Sequence, residues 1–198
     1  MKYFIATKNP HKIIEFERIL SQLSIELVSE KDLDKPLTDV EENGLTFEEN
    51  AIIKAKAACE ETGLVSLADD SGLCVDALGG APGVFSARFS GVLGDDAANN
   101  KKLLKDLEGV PYEKRTARYV AAVACVFPDG KQIVVRGTCE GHIAFEESGS
   151  NGFGYDPLFV SKLGCFGDVS AADKDSISHR AEALIKLKAE LEKIYKEV

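Results

Sequence analysis

Short apolar runs and helically spaced apolar residues alternate along the first part of the chain. Runs at 2–6, 24–28 and 64–68 predict strands. After the first run, apolar residues recur every three or four positions and predict a helix, in the order Ile13, Phe16, Leu20 and Leu23. A second helix is predicted from a capping box at Thr46 to about Thr62, with Gly63 just past its end.

The second half of the chain predicts antiparallel pairing. Residues 115–127 read as a long strand, 128–130 as a turn, and 131–139 as the returning strand, with 140–145 as an extension. Helices are predicted at 95–107 and from Ser178, as N-cap, to about Tyr195. We therefore expect an α/β protein with a mixed sheet rather than a purely parallel one.

Composition and charge exclude several classes of protein. The 198 residues carry a net charge of −9, which opposes nucleic-acid binding. The chain has no apolar stretch long enough to span a membrane, and its first residues are too short an apolar segment for a signal peptide. The five cysteines are widely spaced without a Cys-x-x-Cys pair, so we expect reduced thiols and a cytoplasmic protein.

Two adjacent acids follow the apolar run at 64–68. Asp69 and Asp70 are followed by Ser71 and Gly72, which predicts that the strand ends in a turn there. Consecutive strand residues point to opposite faces, so one acid can serve a site while the other caps the turn. Ordinary turn chemistry explains the same residues, and this segment alone does not decide between the two.

Two helix starts carry cations where the helix dipole disfavours them. Thr7 to Lys12 wrap a strand-to-helix turn, with Asn9 as N-cap and Pro10 as the first helical residue. Free backbone N–H groups at such a turn bind anions, and a bound phosphate would offset the unfavourable position of Lys12. A solvated lysine is the alternative. His179 and Arg180 repeat this pattern at the last helix.

Residues 149–160 combine glycines, aromatic rings and a carboxylate. Phe153 and Tyr155 alternate with glycines, and Asp156 precedes a proline. This combination suits a stacked base, although a glycine-rich turn entering a strand explains it equally well. The chain lacks a P-loop and a Gly-x-Gly-x-x-Gly helix start, so any nucleotide site is of another kind.

Six segments together resemble a known family, the inosine triphosphate pyrophosphatases, over essentially the whole chain. They are Thr7-x-Asn9-x-x-Lys12, Gly44-Leu-Thr-Phe-Glu-Glu-Asn-Ala51, Ala68-Asp-Asp-Ser-Gly-Leu73, Gly79-Gly-Ala-Pro-Gly83 with Ser86-Ala-Arg88, Gly152-Phe-Gly-Tyr-Asp-Pro157 and Ile177-Ser-His-Arg180. Each segment is weak alone, but six in this order are specific.

The resemblance implies an Mg²⁺-dependent hydrolase that converts ITP, dITP and XTP to the monophosphate and pyrophosphate. It also implies a homodimer and an elongated two-lobed α/β fold, in which a mixed, partly antiparallel central sheet is flanked by helices. Residues 1–198 would form one such domain, with the active site in the cleft between the lobes.

The resemblance also implies residue roles. The triphosphate would be held by Thr7, Lys8, Asn9, Pro10, His11 and Lys12. Asp70 would be the general base and a metal ligand, and Ser71 would contact substrate. An acid of the Glu41–Glu42 pair would be the second metal ligand, with Glu41 preferred. The base pocket would be formed by Phe153, Gly154, Tyr155, Asp156, Lys174, His179 and Arg180, with Arg180 or a backbone N–H donating to the 6-oxo group.

Two alternative functions stay open at this point. One is a pyrophosphatase for other modified nucleotides, such as modified pyrimidines. The other is a non-catalytic nucleotide sensor. The Asp69–Asp70 pair argues against the sensor, because a triphosphate binder gains nothing from carboxylates without a metal.

Overall fold

A central sheet organises the described part of the chain, residues 2–20 and 25–196 of the computed structural model. Within these residues the sheet has seven strands in the order β2-β1-β3-β4-β5-β6-β7. The strands are β1 (Lys2–Ile5), β2 (Glu26–Val28), β3 (Val65–Val75), β4 (Thr116–Val126), β5 (Gln132–Ile143), β6 (Phe159–Ser161) and β7 (Gly164–Cys165).

The sheet is mixed, as predicted. Strand β1 pairs in parallel with β2 and with β3. Strand β6 pairs antiparallel with β5 and with β7. Strands β4 and β5 are neighbours joined by a short turn, in which Phe127 N donates to Lys131 O at 2.9 Å, so they form the predicted hairpin.

Helices flank the sheet, which confirms the predicted fold class. They are α1 (Pro10–Leu20), α2 (Phe47–Thr62), α3 (Asp96–Asp106), α4 (Ala171–Asp175) and α5 (His179–Lys196). The predicted ends of α2 are confirmed: Thr46 and Glu49 form the capping box, and Gly63 ends the helix at φ 69°. The prediction for Leu23 lies outside the described residues.

The chain divides into two compact units, each with its own core. Of the described residues, unit one contains those within 1–70, 121–137 and 180–198, and unit two contains 71–120 and 138–179. The core of unit one packs α1 and α5 side chains such as Phe16 and Leu187 against Leu67 of β3. The core of unit two packs α3 side chains such as Leu103 against Phe159.

Strand β3 corrects one prediction. It continues through Asp69 and Gly72 to Val75, where we expected a turn. The reason is that Leu73 and Val75 are fully buried in the core of unit two, so burial of apolar side chains resumes after the polar residues. Strand propensity therefore outweighs the local turn signal.

The helices of the described residues are each too short or too polar to cross a membrane. All five cysteines are free thiols, and Cys59, Cys125 and Cys139 are buried.

Candidate active site

The two acids of β3 have different surroundings. The carboxylate of Asp69 is buried, with Oδ1 3.1 Å from Lys12 Nζ and Oδ2 3.0 Å from Arg180 Nη2. The carboxylate of Asp70 accepts from Asn50 Nδ2 at 3.1 Å and lies 3.5 Å from Lys54 Nζ. The alternation of a strand separates the side chains, as predicted. Asp69 is thus committed to internal ion pairs, whereas Asp70 remains partly exposed.

The ion pairs of Asp69 account for both cations at helix starts. Arg180 also donates through Nη1 to Glu15 of α1. Burial by itself would raise the pKa of Asp69, but Lys12 and Arg180 outweigh it and hold that pKa well below its usual range. The sequence predicted that an anion offsets the unfavourable positions of Lys12 and Arg180 at the starts of their helices. In the structure the protein's own carboxylates do so.

The start of α1 is capped by side chains of the strand-to-helix turn. Asn9 Oδ1 accepts from His11 N at 2.9 Å and, more weakly, from Lys12 N at 3.4 Å. Thr7 Oγ1 accepts from Asn9 N at 3.2 Å. The predicted N-cap Asn9 is thus confirmed, since its side-chain oxygen accepts from the N–H groups of His11 and Lys12, and anion binding at this turn stays a prediction.

The other residues of the 7–12 segment are exposed or half-buried. Lys8 is exposed, and its Nζ lies 2.5 Å from Asp39 Oδ1. This hydrogen bond raises the pKa of Lys8. Pro10 opens α1, as predicted. A triphosphate contact by this segment stays a prediction.

The surroundings of Asp70 include a lysine that sequence reasoning did not single out. Lys54 Nζ lies 2.8 Å from Glu42 Oε2, so one ammonium contacts both Glu42 and Asp70. Burial raises the pKa of Asp70, while Lys54, Lys12 and Asn50 oppose that rise. Asn50 and Lys54 are four residues apart on α2, and this i, i+4 spacing was the available signal.

The two adjacent acids Glu41 and Glu42 differ in their exposure to solvent. Glu41 is exposed, whereas Glu42 is half-buried at Lys54. The described residues contain no group of three or more His, Cys, Asp or Glu side chains that could hold a metal ion alone. Mg²⁺ is commonly bound by one or two carboxylates together with substrate phosphates. Asp70 and one acid of this pair fit such a binding mode.

A second group of predicted residues lies in unit two. Asp156 Oδ2 accepts from Phe153 N at 2.9 Å and from Lys174 Nζ at 2.6 Å. Asp156 and Lys174 are buried, and Lys174 Nζ lies 5.1 Å from the centre of the Phe153 ring. This loop is therefore held in one conformation by a buried ion pair, with a half-buried aromatic ring beside it.

Further predicted base-pocket residues support this loop. Tyr155 is buried, and its hydroxyl donates to Ser86 O at 2.8 Å. The ring of His179 is buried and stacks on Tyr119 at 4.7 Å between ring centres. Ser71 is half-buried in β3. Arg180 lies in unit one with Asp69 and Glu15, so its contact with a base stays a prediction, as does the location of the active site in a cleft.

Comparison with known proteins identifies the family. The family model described as Ham1 family matches residues 3–190. The chain belongs to the Ham1 family. This confirms the resemblance that the six sequence segments predicted.

Relatives match the chain over nearly its full length. A dITP/XTP pyrophosphatase of Exiguobacterium sibiricum is 49% identical over 193 residues, covering 96% of this chain and 97% of the relative. A dITP/XTP pyrophosphatase of Bacillus licheniformis is 49% identical over 190 residues, covering 95% and 96%. The solved Ham1 protein of Staphylococcus aureus is 40% identical, with a TM-score of 0.85 and coverage of 97% of this chain and 98% of that one.

Proposed function

We propose that this protein hydrolyses the non-standard purine nucleoside triphosphates ITP, dITP and XTP to their monophosphates and pyrophosphate. The observation that carries the proposal is the partly exposed Asp70, held by Asn50 and Lys54 in a protein of the Ham1 family. Relatives 49% identical to this chain are named dITP/XTP pyrophosphatases. The enzyme thus removes these nucleotides from the pool.

Asp70 acts as the general base in this proposal. Its carboxylate accepts one hydrogen bond from Asn50, which fixes its orientation, and it stays partly exposed to receive a water proton. Because burial raises its pKa, Asp70 is a stronger base than an aspartate in water. The activated water attacks the α-phosphorus, and pyrophosphate leaves. Asp69 cannot serve this role, because its two oxygens face Lys12 and Arg180.

Asp70 and Glu41 or Glu42 would hold Mg²⁺ together with the nucleotide phosphates. When bound, the ion neutralises phosphate charge that would otherwise repel these carboxylates. Lys12 lies next to Asp69 with its side chain 15% exposed, and Lys54 contacts Asp70. Positioned ammonium groups of this kind stabilise charge that develops on the phosphates.

The loop of Phe153 to Asp156 would bind the purine, with the Phe153 ring stacked on it. A donor facing the 6-oxo group would select hypoxanthine and xanthine over adenine, which presents a donor at that position. Such a mismatch at a buried hydrogen bond is worth on the order of 10⁴-fold in discrimination. Of the two donors that the sequence suggested, Arg180 bonds to Asp69 and Glu15, and the other is a backbone N–H.

Steady-state kinetics on ITP, XTP, ATP and a modified pyrimidine triphosphate, with Mg²⁺, test the proposal. We expect kcat/KM to be far higher for ITP and XTP, with IMP and pyrophosphate as the products of ITP. Equal kcat/KM for ATP would contradict the specificity. Preference for the pyrimidine would favour another nucleotide pyrophosphatase, and binding without turnover would favour a nucleotide sensor.

We also propose that the protein acts as a cytoplasmic homodimer. Unit two exposes apolar side chains at Phe85, Val92 and Leu93, and the cysteines are free thiols. Sedimentation velocity across a concentration series measures the oligomeric state, and a monomer at micromolar concentration would contradict the dimer.

A further inference from the structure

The backbone N–H and C=O of Gly154 are held by two side chains of α3. Asp96 Oδ2 accepts from Gly154 N at 2.7 Å, and Asn100 Nδ2 donates to Gly154 O at 3.2 Å. The two side chains are four residues apart and therefore lie on the same face of α3. The N–H and the C=O of Gly154, which belong to the two peptide units on either side of its Cα, are thus both bonded to a single helix.

Gly154, whose N–H and C=O are bonded to α3, immediately follows Phe153. Gly154 has φ 63°, a left-handed conformation that glycine adopts readily, and it turns the chain between Phe153 and the buried Tyr155. On the N-terminal side of the Phe153 Cα, the backbone N–H of Phe153 donates to Asp156. The backbone is therefore fixed on both sides of Phe153, and the contacts of Gly154 come from α3.

Asn100 itself is strongly constrained. It is 4% exposed, so its amide is removed from water and its hydrogen bond to Gly154 O has little competition. Asp96 is exposed, and its carboxylate still bonds to the Gly154 N–H. A shorter, exposed contact to a carboxylate and a longer, buried contact from an amide therefore hold the backbone of Gly154 together.

We infer that Asp96 and Asn100 are positioning residues for the purine: they fix the backbone on both sides of Gly154 and, through it, the ring of Phe153. The inference rests on the proposed function, since it assigns Phe153 to the base. A ring already fixed before binding loses less freedom when the base stacks on it. Stacking contributes to the bound nucleotide throughout the reaction, so loss of the positioning raises KM with little change in kcat.

Kinetics of four variants on ITP test the inference. Asn100→Asp keeps the shape of the side chain but presents an oxygen to Gly154 O, and Asp96→Ala removes the acceptor. We expect KM to rise about tenfold in each, with kcat within about twofold of the unchanged enzyme, as for the loss of one hydrogen bond. Asp96→Asn restores KM, because its amide oxygen accepts the same hydrogen bond.

Asp95→Ala is the matched control for the stability of α3. Asp95 caps the same helix by accepting from Ala98 N at 2.9 Å and has no bond to Gly154 among its described contacts. We expect this variant to lower the melting temperature and leave KM unchanged. An equal rise in KM for Asp95→Ala, or an unchanged KM for both Asn100→Asp and Asp96→Ala, would overturn the inference while the proposed function stood. Absence of ITP hydrolysis by the unchanged enzyme would overturn both.

Discussion

The ammonium of Lys12 lies 3.1 Å from Oδ1 of Asp69, at the centre of the ion-pair network of unit one. Asp69 also receives two hydrogen bonds from Arg180, which is itself only 1% exposed. Asp69 thus pairs with cations from α1 and α5, and together with Glu15 it balances their two charges. It is a structural anchor of unit one, distinct from Asp70 that follows it.

Asp69→Asn therefore tests stability rather than chemistry. The change leaves the half-buried Lys12 and the buried Arg180 beside a neutral side chain, with Glu15 as the remaining described partner of Arg180. We expect a loss of about 3–5 kcal/mol in the free energy of unfolding, measured by urea denaturation. Asp39→Asn is the control, because Asp39 pairs with Lys8 on the surface, where water and salt screen the pair and its loss should change the free energy of unfolding little. Equal losses in both variants would contradict this account.

Asp70→Asn tests whether Asp70, unlike Asp69, acts in catalysis rather than in stability. The amide keeps the size of the side chain and can still accept from Asn50, so we expect stability close to that of the unchanged protein. It cannot take a proton from water, so kcat should fall by about 10²- to 10⁴-fold. Asp129→Asn, in the exposed β4–β5 turn, controls for a loss of one negative charge. Retention of full turnover by Asp70→Asn would exclude Asp70 as the base.

Much of the arrangement around Asp70 could be predicted from the sequence. The alternation of strand side chains implied that Asp69 and Asp70 have different surroundings, and the capping box at Thr46 placed the start of α2 correctly. These features are local: each depends on residues within one or two turns or on adjacent positions of a strand.

Features that depend on distant residues could not be predicted in the same way. The dipole conflict at Lys12 and Arg180 indicated an anion, but sequence spacing does not tell whether the anion is a ligand or Asp69. The continuation of β3 past Asp70 likewise depends on the burial of Leu73 by the core of unit two. Asp96 and Gly154 are far apart in sequence, so their contact required the folded chain.

The dependence of the rate on Mg²⁺ concentration can tell which of Glu41 and Glu42 is the metal ligand. Glu41→Gln and Glu42→Gln each remove one candidate ligand, and the true ligand variant should need about tenfold more Mg²⁺ for half-maximal rate, as for loss of a supporting contact to a metal. The contact of Glu42 with Lys54 places it near Asp70, whereas Glu41 was preferred from spacing. Chelation of the metal by EDTA should abolish turnover of the unchanged enzyme, and persistence of activity would exclude a magnesium requirement.

Lys54→Met tests the electrostatics at Asp70 through pH. Burial raises the pKa of Asp70 and Lys54 lowers it, so removing the ammonium should raise this pKa further. The base works only when deprotonated, so the acidic limb of kcat/KM against pH should move to higher pH. Lys56→Met is the control, because Lys56 is exposed on the same helix and pairs with Glu60. A shift to lower pH, or an equal shift in Lys56→Met, would contradict the assignment.

Gly152→Ala tests the rigidity of the loop that holds Phe153. Gly152 and Gly154 have φ values of 77° and 63°, so alanine costs about 1 kcal/mol in backbone strain at either position. At Gly152 the added Cβ would also lie 1.9 Å from Asp156 Oδ2, the atom that holds Phe153 N and Lys174. At Gly154 it would meet nothing within 4 Å.

The comparison of these two alanine variants isolates the collision with Asp156. Both variants should pay a similar cost in backbone strain. Gly152→Ala should lower the melting temperature further and should also raise KM for ITP, because Asp156 must move and Phe153 N loses its acceptor. Gly154→Ala should keep KM within a fewfold of the unchanged enzyme, since the loop keeps its bonds to Asp156. Identical KM values for the two variants would mean that the position of Asp156 does not control how the loop binds the base.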